Sequence, residues 1–133
     1  MSQPQVNPRD QANPGVEGMI TFLYYKDLAA AAEFYEQVMG FELTVDQGWA
    51  KIYRTGGNAH IGLVDETRGY HKASPIKPVM LTLIVPDVDE WYRRLQANGI
   101  PTLSQPHDVE EIRIRAFLLK DPEGYVIEIQ RFL

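Results

Sequence analysis

The chain has 133 residues, of which 44% are hydrophobic, and a formal net charge of -5 at pH 7. That length allows one domain, or two small modules that share a hydrophobic core. An acidic chain without a dense lysine and arginine face is not expected to bind nucleic acid. The sequence contains no cysteine, which excludes disulfides, thiolate metal sites and cysteine nucleophiles.

The sequence carries no signal for a membrane or for secretion. No apolar run is long enough to span a bilayer, and the first residues lack the basic and apolar regions of a signal peptide. We therefore expect a cytoplasmic protein that does not associate with membranes. Residues 1–18 contain Pro4, Pro8 and Pro14 among polar side chains, which predicts a flexible arm ahead of the folded part.

The folded part opens with a pattern that predicts a strand, a helix and three further strands. Side chains in residues 20–25 alternate as expected for a strand. Asp27 is placed to cap the helix that follows, and Gly40 can take the left-handed conformation that ends it. The next strands are predicted at residues 41–45, 49–54 and 59–64.

The second half of the chain repeats this order. Residues 80–85 predict a strand, Asp87 caps the next helix, and Gly99 ends it. Residues 121–124, Asp-Pro-Glu-Gly, suit a tight turn. The remaining strands are predicted at residues 101–103, 112–120 and 125–131. A degenerate repeat of about 60 residues thus predicts a single α+β domain made of two similar modules, residues 19–64 and 79–133, with a linker at 65–78.

Strand alternation separates two faces of each predicted sheet. The face predicted to lie under the helices is uniformly apolar: Ile61, Leu63, Leu81, Leu83, Val85, Ile112, Ile114, Ala116, Leu118, Ile127 and Ile129. The opposite face is mixed: Ile20, Phe22, Tyr24, Trp49, Lys51, Tyr53, His60, Gly62, Met80, Thr82, Ile84, Arg113, Arg115, Phe117 and Glu128. Two helices cannot cover both faces of both sheets, so this open face is predicted to form a ligand cleft.

Three segments resemble the vicinal oxygen chelate superfamily: ITFLYYKDL (20–28), EFYEQVMGF (33–41) and FLLKDPEGYVIEI (117–129). That superfamily includes glyoxalases, bleomycin-resistance proteins, extradiol dioxygenases, fosfomycin-resistance enzymes and methylmalonyl-CoA epimerases. The resemblance covers nearly all of residues 19–133. It implies a pair of βαβββ modules that form one cupped, eight-stranded mixed sheet, commonly within a homodimer.

The resemblance also bears on metal binding. In metal-dependent members it implies four ligand positions, which here hold Ile20, Gly62, Met80 and Glu128. Only Glu128 can coordinate a divalent ion, whereas a catalytic site normally has three protein ligands. We therefore expect no metal and no other cofactor. The alternative is an atypical metal site in which His60, two residues from Gly62 on the same predicted face, joins Glu128.

The first predicted function is metal-independent binding of a polar or anionic small organic molecule, as in bleomycin-resistance proteins. Lys51, Arg113 and Arg115 are the candidates for charge-assisted hydrogen bonds to this ligand. The candidate stacking surfaces are Phe22, Tyr24, Trp49, Tyr53 and Phe117. Trp49 and Tyr53 could instead seal a dimer interface, where aromatic residues are enriched.

The second predicted function is catalytic. It is a glyoxalase-like lyase or isomerase in which Glu128 is the general base that removes a proton α to a carbonyl, with His60 assisting. Both residues also have a structural interpretation, since Glu128 could pair with Arg113 or Arg115, and His60 could be a hydrogen-bonded wall residue. A third class, an interaction module without a ligand, would need a partner to bury the open face.

Overall fold

The computed structural model describes residues 12–133, in which a βαβββ order occurs twice. The first module comprises β1 (Met19–Tyr25), α1 (Leu28–Glu33), β2 (Glu42–Asp46), β3 (Ala50–Gly56) and β4 (Ala59–Asp65). A π-helical segment, Phe34–Val38, directly continues α1. The second module comprises β5 (Met80–Ile84), α2 (Val88–Ala97), β6 (His107–Val109), β7 (Ile114–Lys120) and β8 (Val126–Phe132). The predicted repeat of a strand, a helix and three strands is confirmed.

The helix ends follow the local signals of the sequence. The carboxylates of Asp27 and Asp87 each accept a hydrogen bond from the backbone N–H three residues on, at 3.0 Å in both cases. Gly40 and Gly99 follow the two helical segments with φ angles of 73° and 70°, which a residue without Cβ adopts at no steric cost. Both helices therefore begin and end where short-range chemistry predicts.

The strands form two mixed four-stranded sheets, ordered β1-β4-β3-β2 and β5-β8-β7-β6. In each sheet the first strand of the module pairs in parallel with the last, and the remaining pairs are antiparallel. This arrangement confirms the α+β fold class and the two βαβββ modules, whose strands form two four-stranded sheets rather than one eight-stranded sheet.

The helices pack on one face of the sheets and enclose a core that both modules share. Its fully buried large side chains are Leu23, Tyr25, Tyr35, Met39, Tyr53, Leu63, Leu95, Phe117, Leu119, Ile127 and Ile129. Both helices bury their apolar sides against this face of the sheets. The opposite faces of the sheets therefore have no helical cover.

One strand lies away from its predicted position. The short strand β6 is His107–Val109 rather than residues 101–103. Pro101 has no N–H to contribute to a strand pair, and Leu103 donates one backbone hydrogen bond to the carbonyl of Leu118 at 2.7 Å. Residues 101–103 therefore touch the edge of the sheet without joining its ladder.

The segment ahead of β1 is described only in part. Residues 12–18 have no regular secondary structure and are exposed. The rest of the predicted arm lies outside the described residues, so its flexibility stays a prediction. Within residues 12–133, no helix has both the length and the apolar character that crossing a membrane requires.

Candidate functional site

The uncovered face of the first sheet carries a groove of about 540 Å³. Ile20 and Phe22 of β1, Ile52 of β3 and His60 of β4 line it, together with Val45 of β2. The lining is mostly apolar, and Phe22 is 44% exposed. Such a concave, apolar surface with few polar groups is the usual form of a site for a small organic molecule.

The ring of Phe22 lies across the backbone of Gly62. The two residues are directly paired in the parallel β1–β4 ladder, and a Cβ built on Gly62 would lie 2.3 Å from Cδ1 of Phe22. Only glycine admits a ring at this place without a shift of the ring. The position that the resemblance assigns to a metal ligand is thus occupied by an aromatic surface.

A second cavity, of about 560 Å³, lies between β1 and the linker that joins the modules. Phe22 borders this cavity and the groove described above, so the two spaces adjoin along one face of β1. The other lining residues are Tyr24, His71, Lys72, Ser74, Ile76, Lys77, Pro78, Val79 and Tyr125. Tyr24, like Phe22, therefore lies on the open face as predicted.

The two candidate catalytic residues lie in different sheets. His60 borders the groove of the first sheet, where its Nδ1 is 3.1 Å from the carbonyl oxygen of Asn58. Glu128 lies on the open face of the second sheet and accepts a hydrogen bond from the hydroxyl of Thr82 at 3.1 Å. In the described part of the chain, the groove of His60 is lined by first-module and arm residues alone.

The structure also bears on the atypical metal site. Within residues 12–133, no three histidine, aspartate or glutamate side chains are grouped closely enough to hold an ion. Glu128 has a hydroxyl of Thr82 as its neighbour, and the hydrogen-bonding partner of His60 is a backbone carbonyl. In the described residues, neither His60 nor Glu128 has beside it the two further ligands that a catalytic metal site typically has.

The prediction that Lys51 and Tyr53 point to the open face is wrong. Both residues pair across β3–β4 with core residues and therefore lie on the helix side of the sheet. Tyr53 is 0% exposed, and its hydroxyl donates a hydrogen bond to Glu36 at 2.7 Å. Burial, followed by the contact with Glu36, raises the pKa of Tyr53 above its usual range. Lys51 pairs with Asp46 at 3.5 Å.

In β7, as in β3, residues predicted on the open face lie on the helix side. Phe117 is 0% exposed and packs on Tyr92 of α2, with ring centroids 5.3 Å apart. Arg115 donates to Asp89 of α2 at 2.8 and 2.9 Å and to Asp108 at 3.1 Å. The predicted open-face placement of Phe117 and Arg115 is therefore wrong, because α2 offers an apolar neighbour to one and carboxylates to the other. The hydrogen bonds from Arg115 lower the pKa of Asp89.

The other apolar side chains of β7 also lie on the face opposite to the one predicted. Residues predicted under the helices, Ile114, Ala116 and Leu118, lie on the opposite face from Phe117, and Leu118 pairs with Glu128. Ile112 and Arg113 precede the strand in a turn. Arg113 has a φ of 53°, is exposed, and is not on the open face of the sheet as predicted.

Trp49 lies just ahead of β3 and is 38% exposed. The guanidinium carbon of Arg68 is 5.7 Å from the centroid of its ring, within the range of a cation–π contact. Neither the groove nor the adjoining cavity includes Trp49 in its lining. The described structure therefore separates Trp49 from Phe22 and Tyr24, the two predicted stacking residues that do border the cavities.

Sequence reasoning missed a buried polar cluster that joins the modules. Both Tyr25 and Tyr35 donate hydroxyl hydrogen bonds to one oxygen of Asp121, at 2.5 and 2.9 Å. The other oxygen of Asp121 accepts the backbone N–H groups of Glu123 and Tyr125, each at 3.0 Å. Burial above all raises the pKa values of both tyrosines, which keeps their hydroxyls protonated as donors. The sequence signal was the turn at 121–124, which predicted only local structure.

The linker lysines were also missed. Lys72 and Lys77 border the second cavity, although the sequence analysis assigned their segment only a connecting role. No periodic signal marks these residues, because they belong to neither a helix nor a strand. Only the folding of the linker across β1 brings them beside Phe22 and Tyr24.

Comparison with known proteins gives consistent results. The protein YraH of Bacillus subtilis (strain 168) is 26% identical over 121 residues, covering 84% of this chain and 94% of YraH. The crystal structure of TioX from Micromonospora sp. ML1 matches with a TM-score of 0.71 and 26% identity, covering 89% of this chain and 100% of TioX.

A lactoylglutathione lyase from Agrobacterium tumefaciens shares the fold. It matches with a TM-score of 0.71 and 24% identity, covering 90% of this chain and 96% of that one. A family model describes residues 18–129, which include all eight strands except the last residues of β8. From that match, the chain belongs to the Glyoxalase/Bleomycin resistance protein/Dioxygenase superfamily.

Proposed function

We propose that this protein is a cytoplasmic, metal-independent binding protein for a small organic molecule with a flat apolar body. The ligand lies on the open face of the first sheet, against the ring of Phe22. The observation that carries the proposal is that this residue, 44% exposed, lines two cavities of about 540 and 560 Å³. Membership of the superfamily supports the proposal at the level of the fold, which alone does not fix an activity.

The surroundings of Phe22 favour an aromatic or otherwise flat ligand. The ring rests on the Gly62 backbone, so one of its faces is supported and the remainder is available for contact. Met19, Ile20 and Val45 nearby are 75%, 38% and 41% exposed. Monomeric proteins rarely expose large contiguous apolar surfaces, and such a surface commonly marks a binding site. A ligand here removes that surface from water.

Replacing Phe22 with alanine should weaken binding of flat aromatic ligands about fivefold, since a ring–ring contact contributes about 1 kcal/mol beyond buried area. Calorimetric titration with 2-naphthamide as the neutral probe measures this change. Phe132→Ala is the matched control, because Phe132 is 63% exposed and borders neither cavity. Equal affinities of the wild type and Phe22→Ala for the probe would place the site elsewhere.

The alternative function is a glyoxalase-like lyase or isomerase. One observation favours it: the carboxylate of Glu128 is partly exposed on the open face of the second sheet, with Thr82 as a hydrogen-bond donor. A carboxylate in this position could remove a proton α to a carbonyl. In that case the protein would exchange the α-protons of an α-hydroxy ketone such as dihydroxyacetone in deuterated water, and Glu128→Gln would abolish the exchange.

Under the binding proposal, zinc, nickel or manganese should leave the melting temperature unchanged and dihydroxyacetone should not exchange above the solvent rate. A metal that binds only the native state would raise the melting temperature by mass action. The measurements are thermal unfolding and elemental analysis of protein purified without added metal. Stoichiometric metal that is lost in His60→Ala would support the atypical site of His60 and Glu128 and contradict this proposal.

We also propose that the protein is a homodimer with a two-fold axis. The strands β1 and β5 are edge strands of their sheets within the chain, and β5 exposes Met80 by 49% and Ile84 by 58%. Unpaired, apolar edge strands favour association, and a two-fold interface would bury the same strands on both subunits. Light scattering at micromolar protein should give twice the chain mass of 15.2 kDa. The monomer mass would contradict this assignment.

A further inference from the structure

The linker of residues 66–79 is folded against the first sheet. The backbone N–H of Glu66 donates to the carbonyl of Tyr25 at 3.0 Å, and its carboxylate accepts the N–H of Ala73 at 3.2 Å. At Gly69 the backbone approaches the ring of Tyr24 so closely that an added Cβ would lie 2.8 Å from Cε1. These contacts fix the linker as one wall of the cavity of about 560 Å³.

The polar side chains of this wall are cationic or neutral. Lys72, Lys77, His71 and Ser74 line the cavity, and no aspartate or glutamate does so in the described part of the chain. Lys72 donates one of its three N–H groups to the carbonyl of Glu66 at 2.8 Å, which holds the ammonium in place. Neither lysine takes part in an ion pair within residues 12–133.

This charge distribution is unlike that of the whole protein. The chain carries a net charge of -5, and Lys51, Arg54 and Arg115 are each paired with carboxylates. Ammonium groups that line a cavity without a carboxylate in its lining favour an anion as their partner. Two ammonium groups on one cavity wall bind a small oxyanion better than one ammonium group does.

A second wall of the cavity, formed by β1, is aromatic. Tyr24 and His71 meet edge to face with ring centroids 5.2 Å apart, and Phe22 continues the wall toward the adjoining groove. The Lys77 ammonium lies 4.7 Å from the centroid of Tyr125, a cation–π contact with a ring that also lines the cavity. The cavity therefore combines flat surfaces with positive charge at its linker side.

We infer that this cavity selects an aromatic carboxylate, with the carboxylate bound by Lys72 and Lys77 and the ring placed against Phe22 and Tyr24. The inference rests on the proposed function and names the class of ligand. It also differs from the sequence prediction of an anion site at Lys51, Arg113 and Arg115. Lys51 and Arg115 are paired with carboxylates on the helix side, and Arg113 lies in an exposed turn. Lysines on a docked linker take that role instead.

The test compares 2-naphthoate with its neutral amide, 2-naphthamide, by calorimetric titration. Wild type should bind the carboxylate about tenfold more tightly than the amide, because hydrogen bonds to charged groups are worth more than neutral ones. Lys72→Gln/Lys77→Gln should remove this preference, lowering naphthoate affinity about tenfold and leaving naphthamide affinity unchanged. Arg93→Gln/Lys120→Gln is the control, since it deletes two exposed charges away from the cavity.

The outcomes separate the two proposals. Equal binding of both probes by wild type, or an equal loss of both in the lysine variant, would overturn the inference but leave Phe22 as a binding surface. Binding of neither probe would overturn the proposed function and the inference together. Lys77→Gln alone provides the test should the double variant fail to fold, because its ammonium contacts the Tyr125 ring rather than the backbone. It should lose part of the preference for naphthoate.

Discussion

Replacing Asp121 with alanine should lower the free energy of unfolding by about 4 kcal/mol, since each buried group left without a partner costs about 1–3 kcal/mol. Its carboxylate accepts four hydrogen bonds, two from the hydroxyls of Tyr25 and Tyr35 and two from backbone N–H groups. Asp121 is 5% exposed and both tyrosines are 0% exposed, so water cannot replace the lost acceptor without rearrangement of the core.

The effect should extend across the module boundary. Asp121 belongs to the β7–β8 turn of the second module, whereas Tyr25 and Tyr35 belong to the first. The adjacent Glu123 reinforces this contact, because its carboxylate accepts the N–H groups of residues 26 and 27 at 2.9 and 2.8 Å. Loss of Asp121 should therefore weaken the docking of one module on the other as well as the turn itself.

Urea denaturation at fixed protein concentration measures the change in stability. Asp46→Ala is the matched control, because Asp46 is 47% exposed in its side chain, where it pairs with Lys51 at 3.5 Å and accepts the N–H of Gly48 at 2.8 Å. Such exposed pairs contribute about 0–1 kcal/mol. If Asp121→Ala and Asp46→Ala shift the urea midpoint equally, the buried cluster does not stabilise the fold more than an exposed ion pair does.

Replacing Phe117 with alanine should cost about 3–5 kcal/mol of stability, the usual range for a buried phenylalanine. The side chain is 0% exposed and packs against Tyr92 of α2. Phe22→Ala, by contrast, should change stability by no more than about 1 kcal/mol, because Phe22 is 44% exposed and surface substitutions have small effects. The two variants thus separate a core ring from a binding surface.

The measurement pairs urea denaturation with 2-naphthamide titration for both variants. We expect Phe117→Ala to lose stability while the folded fraction keeps its affinity, and Phe22→Ala to do the reverse. If Phe117→Ala kept wild-type stability but bound the probe more weakly, Phe117 would not lie on the helix side of β7. It would lie on the open face, as the sequence predicted. Phe117→Leu should recover much of the lost stability, because it leaves a smaller cavity.

The local part of this fold was determined by the sequence alone. The positions of Asp27, Asp87, Gly40 and Gly99 predicted where the helices begin and end, because caps and left-handed stops involve groups within four residues of one another. The internal repeat predicted the two modules for the same reason, since each module repeats one order of local patterns.

Tertiary structure decided which face of each strand is open. In β4 and β8 the helix-side residues are aliphatic, and alternation alone assigned them correctly. In β3 and β7, Tyr53 and Arg115 alternate with aliphatic residues, and an amphipathic side chain can satisfy either environment. Glu36 and Asp89, on the helical segments, settled the choice by offering partners to the tyrosine hydroxyl and the guanidinium.

The candidate site depended on the fold still more strongly. His60 and Glu128 are on the expected faces, but they belong to different sheets, and strand alternation carries no information about the distance between sheets. Asp121 meets Tyr25 across 96 positions of sequence, and the linker lysines reach the cavity only because the linker folds over β1. Contacts between distant segments depend on how whole elements pack, so local patterns determined the modules and the tertiary structure alone determined the site.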